Sequence, residues 1–414
     1  MRTAMLAAFA LVACTDGGTQ VTDQPIDINT VTATERPAGR SEVFGVVDES
    51  TGQMMIFGGN EGPIVNQNPR GKFLQETWVF SPGIGWSEVV SETTPARRGR
   101  YAVQQDEANG RALMFGGRFR QNGADSSTDY RLYNDLWAFD WTSRAWTKLS
   151  DADDDGGPAG RYYPASAFDA ASARFYIWGG ALNASPLFIE PGNDLWSWSD
   201  DEGWMEHTIT GEGPSTRTFL GDTYDSSRNR IIIFGGQRGD FSSLAFNDTW
   251  ALSLEDYTWT QLHDGETGKA PSTRMHAALQ YDEAADRYLL FGGHTDEGDG
   301  NDVWAFDPTT NAWSVLTRGD RFTGNSLGCI DNPSEVPADY VNQDLDSPER
   351  RHRGMHTLLD GRLWIFGGIH SECSDYLDDV WHYDLQTNAW TEVMESRTGE
   401  SCARRGDDCV CLCL

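Results

Sequence analysis

The chain has 414 residues and a formal charge of −31 at neutral pH, from 63 acidic and 32 basic side chains. A field of that sign repels nucleic acid and a bare anionic membrane, because affinity for polyanions comes from a basic surface that releases counterions. With 38% hydrophobic and 12% aromatic residues, 16 of them Trp, the chain carries too much apolar mass for a solvated coil and reads as globular.

At the N-terminus, Arg2 is followed by an apolar run from Ala4 to Ala13, shorter than the roughly 17 to 25 residues that span a bilayer but shaped like a secretory signal. Leu11, Val12, Ala13 and Cys14 resemble the lipobox of bacterial lipoproteins. The resemblance implies cleavage before Cys14, its lipidation, and export to the bacterial cell envelope, anchored by lipid on the periplasmic side or at the cell surface. An ordinary export signal with an incidental Cys is the alternative. The expected organisation is a signal peptide over 1–13, a polar flexible tether over 14–24, a globular body over 25–395 and a Cys-rich tail over 396–414.

In the body one unit recurs six times. A first strand opens after an Arg, at Arg40, Arg100, Arg161, Arg217, Arg274 and Arg353, and ends in an Asp-rich turn. A second, apolar strand ends in a Gly pair beginning at Gly58, Gly116, Gly179, Gly235, Gly292 and Gly367. A third holds an acidic or polar residue just before a Trp: Thr77 and Trp78, Asp135 and Trp137, Asp194 and Trp196, Asp248 and Trp250, Asp302 and Trp304, Asp379 and Trp381. After a tight turn the fourth carries another Trp, at Trp86, Trp146, Trp204, Trp259, Trp313 and Trp390. Six small antiparallel sheets cannot hide their edges in one flat array, whereas radial closure packs each on its neighbours. The sequence therefore predicts an all-β, six-bladed propeller of four-stranded antiparallel blades.

The Gly pair, the acidic residue before an aromatic and the final Trp resemble kelch repeats from about Arg40 to Val393. The units run longer than the period of about 50 usual for that repeat. The opening unit has Glu76 and Thr77 in place of Asn and Asp, which predicts a less regular first blade. Closure is expected through a strand from one terminus completing a blade begun by the other, with seven blades as the alternative.

With the four strands of a unit labelled a to d in chain order, the connectors before strand a and those between strands b and c emerge on one face, and the latter are the long ones, so recognition is expected there. The resemblance makes strand a innermost and sets the six repeat arginines around the channel mouth. They read either as an Arg-lined pocket for carboxylate or sulfate, or as structural partners of Asp135, Asp194, Asp248, Asp302 and Asp379; the second is preferred because every unit has one. Residues unique to one unit are better candidates: Arg118, Phe119, Arg120, Arg238, Met275, His276, His294, His356 and His370.

Seven Cys in an exported chain suggest disulfides once Cys14 is acylated. Cys329 and Cys373 lie in long connectors of the last unit and are expected to pair. Cys402, Cys409, Cys411 and Cys413 form a tail whose alternation suits disulfides or fraying better than a thiolate metal site. The tripeptide Arg318, Gly319, Asp320 reads as chance. Acidic clusters at Asp151 to Asp155 and at Asp296, Glu297, Asp299 and Asp302 offer oxygen ligands for Ca²⁺ but follow no EF-hand pattern and read as solvated loops.

Some kelch-like propellers are enzymes. The iron-binding pattern Glu-x3-Asp-x3-His is unmet, since Ser374 precedes Asp378 and His382 where the Glu would stand, and no nucleophile elbow occurs. The preferred reading is a monomeric, non-catalytic scaffold that binds a protein or glycan at the long-loop face, with no cofactor and no resident metal. The alternative is a carbohydrate-processing enzyme of epimerase, mutarotase or oxidase type at the same mouth, using Arg274, His276 or Glu42. A scaffold implies paired arginines, and an enzyme implies an isolated acid or imidazole with a perturbed pKa.

Overall fold

A computed structural model describes residues 35–61, 64–65, 68–69, 72–120, 130–183, 189–239, 245–296, 298–319, 346–370 and 375–396. The signal, the tether, the Cys329–Cys373 pair and the Cys-rich tail lie outside them.

Six antiparallel sheets follow one another along the chain, and in each the strands pair in the order a, b, c, d. Blade 1 comprises Gly45–Asp48, Gln53–Phe57, Thr77–Ser81 and Gly85–Val89, and blade 2 comprises Ala102–Asp106, Arg111–Phe115, Asp135–Asp140 and Ala145–Asp151. Blade 3 is built from Ala165–Asp169, Arg174–Trp178, Leu195–Ser199 and Gly203–His207, and blade 4 from Gly221–Asp225, Arg230–Phe234, Thr249–Ser253 and Trp259–His263. Blade 5 has Ala278–Asp282, Arg287–Thr295, Gly298–Asp307 and Ala312–Thr317, with Arg274–Met275 added beside its second strand. Blade 6 has Met355–Leu359, Arg362–Phe366, Val380–Asp384 and Ala389–Met394. Each a strand lies against the a strand of the next blade, and that of blade 6 meets that of blade 1, so the ring closes with six blades. Every blade takes its four strands from one contiguous stretch of chain, so the termini need not share a sheet.

One apolar cluster fills each gap between blades. At its centre the strand d Trp packs on the aromatic residue that precedes the Gly pair of the preceding blade. Trp146 lies 5.3 Å from Phe57, Trp204 5.0 Å from Phe115, Trp259 4.8 Å from Trp178, Trp313 5.2 Å from Phe234 and Trp390 5.1 Å from Phe291. Trp86 completes the circle at 4.7 Å from Phe366, the closest of the set.

A buried arginine braces each blade. Arg161 donates from Nε to the Ala159 carbonyl (3.0 Å), from Nη1 to the Gly179 carbonyl (2.9 Å), and from both Nη atoms to the Asp194 carboxylate (2.7 Å each). Asp194 also accepts from Trp196 Nε1 at 2.7 Å, so one carboxylate ties strand c to the connector before strand a. The same brace forms at Arg98 with Asp135, Arg217 with Asp248, Arg274 with Asp302 and Arg351 with Asp379. In blade 1 Glu76 does this work, accepting from Arg40 Nη2 at 2.9 Å and from Trp78 Nε1 at 3.1 Å, so the first blade keeps the motif through a longer carboxylate. The Gly pair lets backbones meet at this point: Gly58 has φ +57°, and a Cβ there would stand 2.4 Å from the Arg98 carbonyl oxygen.

Candidate functional site: a collar around the axis

Two residues beyond each brace arginine the backbone turns inward. Glu42, Arg100, Tyr163, Phe219, His276 and Arg353, one from each blade, all have φ between 53° and 63°. Left-handed backbone costs a non-glycine residue on the order of 1–2 kcal/mol, so neighbours must impose it. They do so through hydrogen bonds from blade to blade: the amides of Glu42, Arg100, Tyr163 and His276 donate to the carbonyls of Arg353, Glu42, Arg100 and Phe219 at 2.9, 2.9, 2.7 and 2.6 Å. The collar sits on the face of the long b-to-c connectors, since Gly59 N–H donates to the Arg98 carbonyl and Gly99 bridges to Arg118.

Its side chains divide into a charged arc and an aromatic arc. Glu42, fully buried, takes Arg100 Nη2 at 2.5 Å and Arg118 Nη2 at 2.8 Å. Burial pushes the Glu42 carboxyl up, but the charges of Arg100, Arg118 and Arg353 overcome it and hold it at about 2. Arg353 has no hydrogen-bond partner at Nε, and no ion pair of its guanidinium occurs among the described residues. Burial and then Arg100 lower its pKa. Between neighbouring blades Arg100 lies 4.9 Å from the centre of the Tyr163 ring, and Phe219 packs at 4.6 Å against His276. Both nitrogens of the buried His276 ring lack a hydrogen-bond partner among the described residues, and burial followed by the Arg353 charge keeps the ring neutral, with its pKa well below the ordinary imidazole range. Between blades 5 and 6, beside the collar, lies a small cavity of about 20 Å³, room for about one water, lined in part by His276, Phe291, His352, Arg353, Met355 and His356.

A second group stands next to His276. His294 and Asp299 are cross-strand partners in the b–c hairpin of blade 5, with Nδ1 and Oδ1 2.6 Å apart, and His352 Nδ1 from blade 6 lies 3.0 Å from the same Oδ1. Burial opposes ionisation of Asp299, yet His352 and His294 hold it well below the carboxylate range, while burial lowers His352 to about 4. Elsewhere burial raises Asp222, on strand a of blade 4, to about 7, against one hydrogen bond from the Ser166 amide at 3.0 Å.

The six repeat arginines divide: Arg161, Arg217 and Arg274 pair with Asp194, Asp248 and Asp302, the structural reading preferred from the sequence, rather than lining the mouth. Arg40, Arg161, Arg217 and Arg274 are buried braces whose donors are spent inside the blade, while Arg100 and Arg353 belong to the collar, and the braces of their blades are Arg98 and Arg351. Five braces stand 18 residues before the carbonyl of the Gly pair they bond, and Arg351 stands 16 before, a spacing that identifies them in the sequence. Tyr163, Phe219, His352 and Asp222 were missed. Among the single-unit candidates, Arg118 and His276 join the collar and His294 the His–Asp group. His356 lines the pocket and is lowered to about 4 by burial. Met275 pairs with His294, Phe119 packs 5.8 Å from Phe73, and Arg120 and His370 are buried in the connectors. Arg238 is exposed over Phe246. Within the acidic clusters Asp302 accepts from Arg274 and Trp304, Asp299 meets two histidines and Asp155 accepts from Ser150, while Glu297 lies outside the described residues.

A profile described as the KLHDC2/KLHL20/DRC7 Kelch-repeats domain matches residues 165–329, and the Kelch motif matches 350–396. The chain is 28% identical over 211 residues to the dynein alpha chain, flagellar outer arm, of Chlamydomonas reinhardtii, covering 49% of this chain and 4% of that one. It is 26% identical over 248 residues to tip elongation aberrant protein 3 of Schizosaccharomyces pombe, covering 56% and 20%. It is also 26% identical over 228 residues to Kelch domain-containing protein 10 of Homo sapiens, covering 54% and 45%. The chain thus spans less than half the length of each of these relatives. Six blades, each with a Gly pair, an arginine brace and stacked indoles, together with these matches make the chain a member of the kelch-repeat propellers.

Proposed function

We infer that the protein is a binding scaffold that receives a carboxylate or sulfate group of a protein or glycan at the mouth of the propeller axis. Arg353 carries this reading. Glu42 engages Arg100 and Arg118, which leaves the Arg353 guanidinium, beside a small cavity, without an ion pair among the described residues. Three cations around one carboxylate make a locally positive site in a chain of charge −31, and the guanidinium fork in a partly dry setting matches two oxygens of a carboxylate or sulfate. Kelch propellers are typical protein-interaction scaffolds, and a relative named as a dynein alpha chain of the flagellar outer arm fits that use.

The test is a peptide and glycan array probed with the full chain, followed by titration of the hits. Arg353→Gln should weaken binding at least tenfold, about 1.4 kcal/mol, and flatten its salt dependence. Equal affinity of wild type and variant would reject the site.

A catalytic reading is favoured by two observations, the Asp222 carboxyl near 7 and the unpartnered neutral His276, since general acids and bases need such values. A carbohydrate turnover screen compared with Asp222→Asn and His276→Ala decides it. We also propose that the chain is exported as a monomer and held at a bacterial envelope through lipid on Cys14. Incorporation of a fatty-acid label that Cys14→Ser abolishes would support the anchor.

A further inference from the structure

We propose that His294, Asp299 and His352 form a binding site for one divalent transition ion of the Zn²⁺ class, at the seam between blades 5 and 6. A ligand atom from each of the three lies within 4.8 Å of the others. One carboxylate oxygen, Asp299 Oδ1, faces two imidazole nitrogens, His294 Nδ1 at 2.6 Å and His352 Nδ1 at 3.0 Å. Two imidazoles and one carboxylate suit borderline ions such as Zn²⁺ and Co²⁺, whereas Ca²⁺ wants six or more oxygens. Three protein ligands would leave one position open, the arrangement of a reactive site rather than of a purely structural one.

The scaffold holds these groups in place before any ion arrives. His294 and Asp299 are register partners in a hairpin locked by Thr295 Oγ1 donating to the Gly298 carbonyl at 2.8 Å, and Met275 pairs with His294 on the other side. His352 is fixed by reciprocal backbone hydrogen bonds with Ile369 at 3.1 and 2.9 Å. Asp299 and His352 are each only 4% exposed. To ligate, both rings present the Nδ1 lone pair and carry their proton on Nε2, a change of tautomer that leaves the imidazoles neutral. The site adjoins the anion-binding pocket, which His352 also lines, but neither Arg353 nor Glu42 contributes a ligand, so the Arg353→Gln and His294→Ala tests separate the two readings.

Untagged full-length protein is titrated with CoCl₂ and, separately, dialysed against ZnCl₂ with metal content measured per chain. One equivalent should bind, with visible Co²⁺ bands of nitrogen and oxygen ligation and no thiolate charge transfer. His294→Ala and His352→Ala should each lower affinity at least about tenfold, the loss seen even for groups that only orient a ligand. His263→Ala, on blade 4, should leave it unchanged. If buried His352→Ala fails to fold, His294→Ala decides alone, because its side chain is 27% exposed and its loss is tolerated more easily. No saturable binding, binding unchanged in His294→Ala, or a thiolate band pointing to cysteines would each overturn the proposal.

Discussion

Arg100 and Glu42 come from adjacent blades and are joined twice: their side chains meet at 2.5 Å, and the Arg100 amide donates to the Glu42 carbonyl at 2.9 Å. The one negative charge among the collar's three arginines is thus attached to the backbone ring that shapes it. Removing it leaves Arg100, Arg118 and Arg353 facing one another in a buried space. Glu42→Gln should cost about 3–5 kcal/mol, the range for breaking a buried ion pair from one side, read from urea unfolding and larger at low salt.

The brace arginines predict a graded series. Arg161→Ala strands the Asp194 carboxylate and the Gly179 carbonyl and should cost about 3–5 kcal/mol. Arg40→Ala should cost less, because Glu76 accepts only one hydrogen bond from Arg40 and its side chain is 39% exposed, so water can take the place of the arginine. Equal losses would show that the brace acts through packing alone.

Trp86→Ala opens the seam between first and last blades, where Trp86 contacts Phe366. A loss of about 3–5 kcal/mol is expected. Hydrogen exchange should rise first in Gly45–Val89 and Met355–Met394, the two blades at that seam.

Acid should weaken the protein in two steps. His352 and His356 titrate at about 4 when folded, against an ordinary value of 6.5, so the unfolded chain binds more protons between these values and stability falls as pH drops through that window. Below it Glu42, held at about 2 against 4.5, adds a further loss as pH falls from 4.5 towards 2. Thermal melts from pH 7 to 3 check the sequence, and a flat profile between 6.5 and 4 contradicts the burial of the histidines.

Asp222 acts in the opposite direction. Its folded value of about 7 exceeds the ordinary 3.8, so its contribution is fully favourable below 3.8 and is lost as pH rises through 7. Asp222→Asn, which keeps an acceptor for the Ser166 amide, should be the more stable protein at pH 8, by a few kcal/mol at most, and should converge with wild type near pH 4.

The blade count, strand order and stacked indoles were legible because each residue type recurs at a fixed place. The arginine register was not, since three arginines crowd the sequence at 97, 98 and 100 and again at 350, 351 and 353, and only their distance to the Gly pair separates brace from collar. Tyr163 and Phe219 look like strand residues, and nothing in a single sequence marks their left-handed backbone. His352 escaped notice because its partners His294 and Asp299 belong to another blade, and only ring closure brings them together.

Because every blade repeats the same brace while the residue two positions later differs in nearly every case, mechanical support and chemical identity are uncoupled at the hub. A substitution at one such socket can change what the propeller recognises without redesigning the spokes that hold it. The six sockets are thus open to piecemeal rewriting, by mutation or by engineering, with the rest of the wheel left as it is.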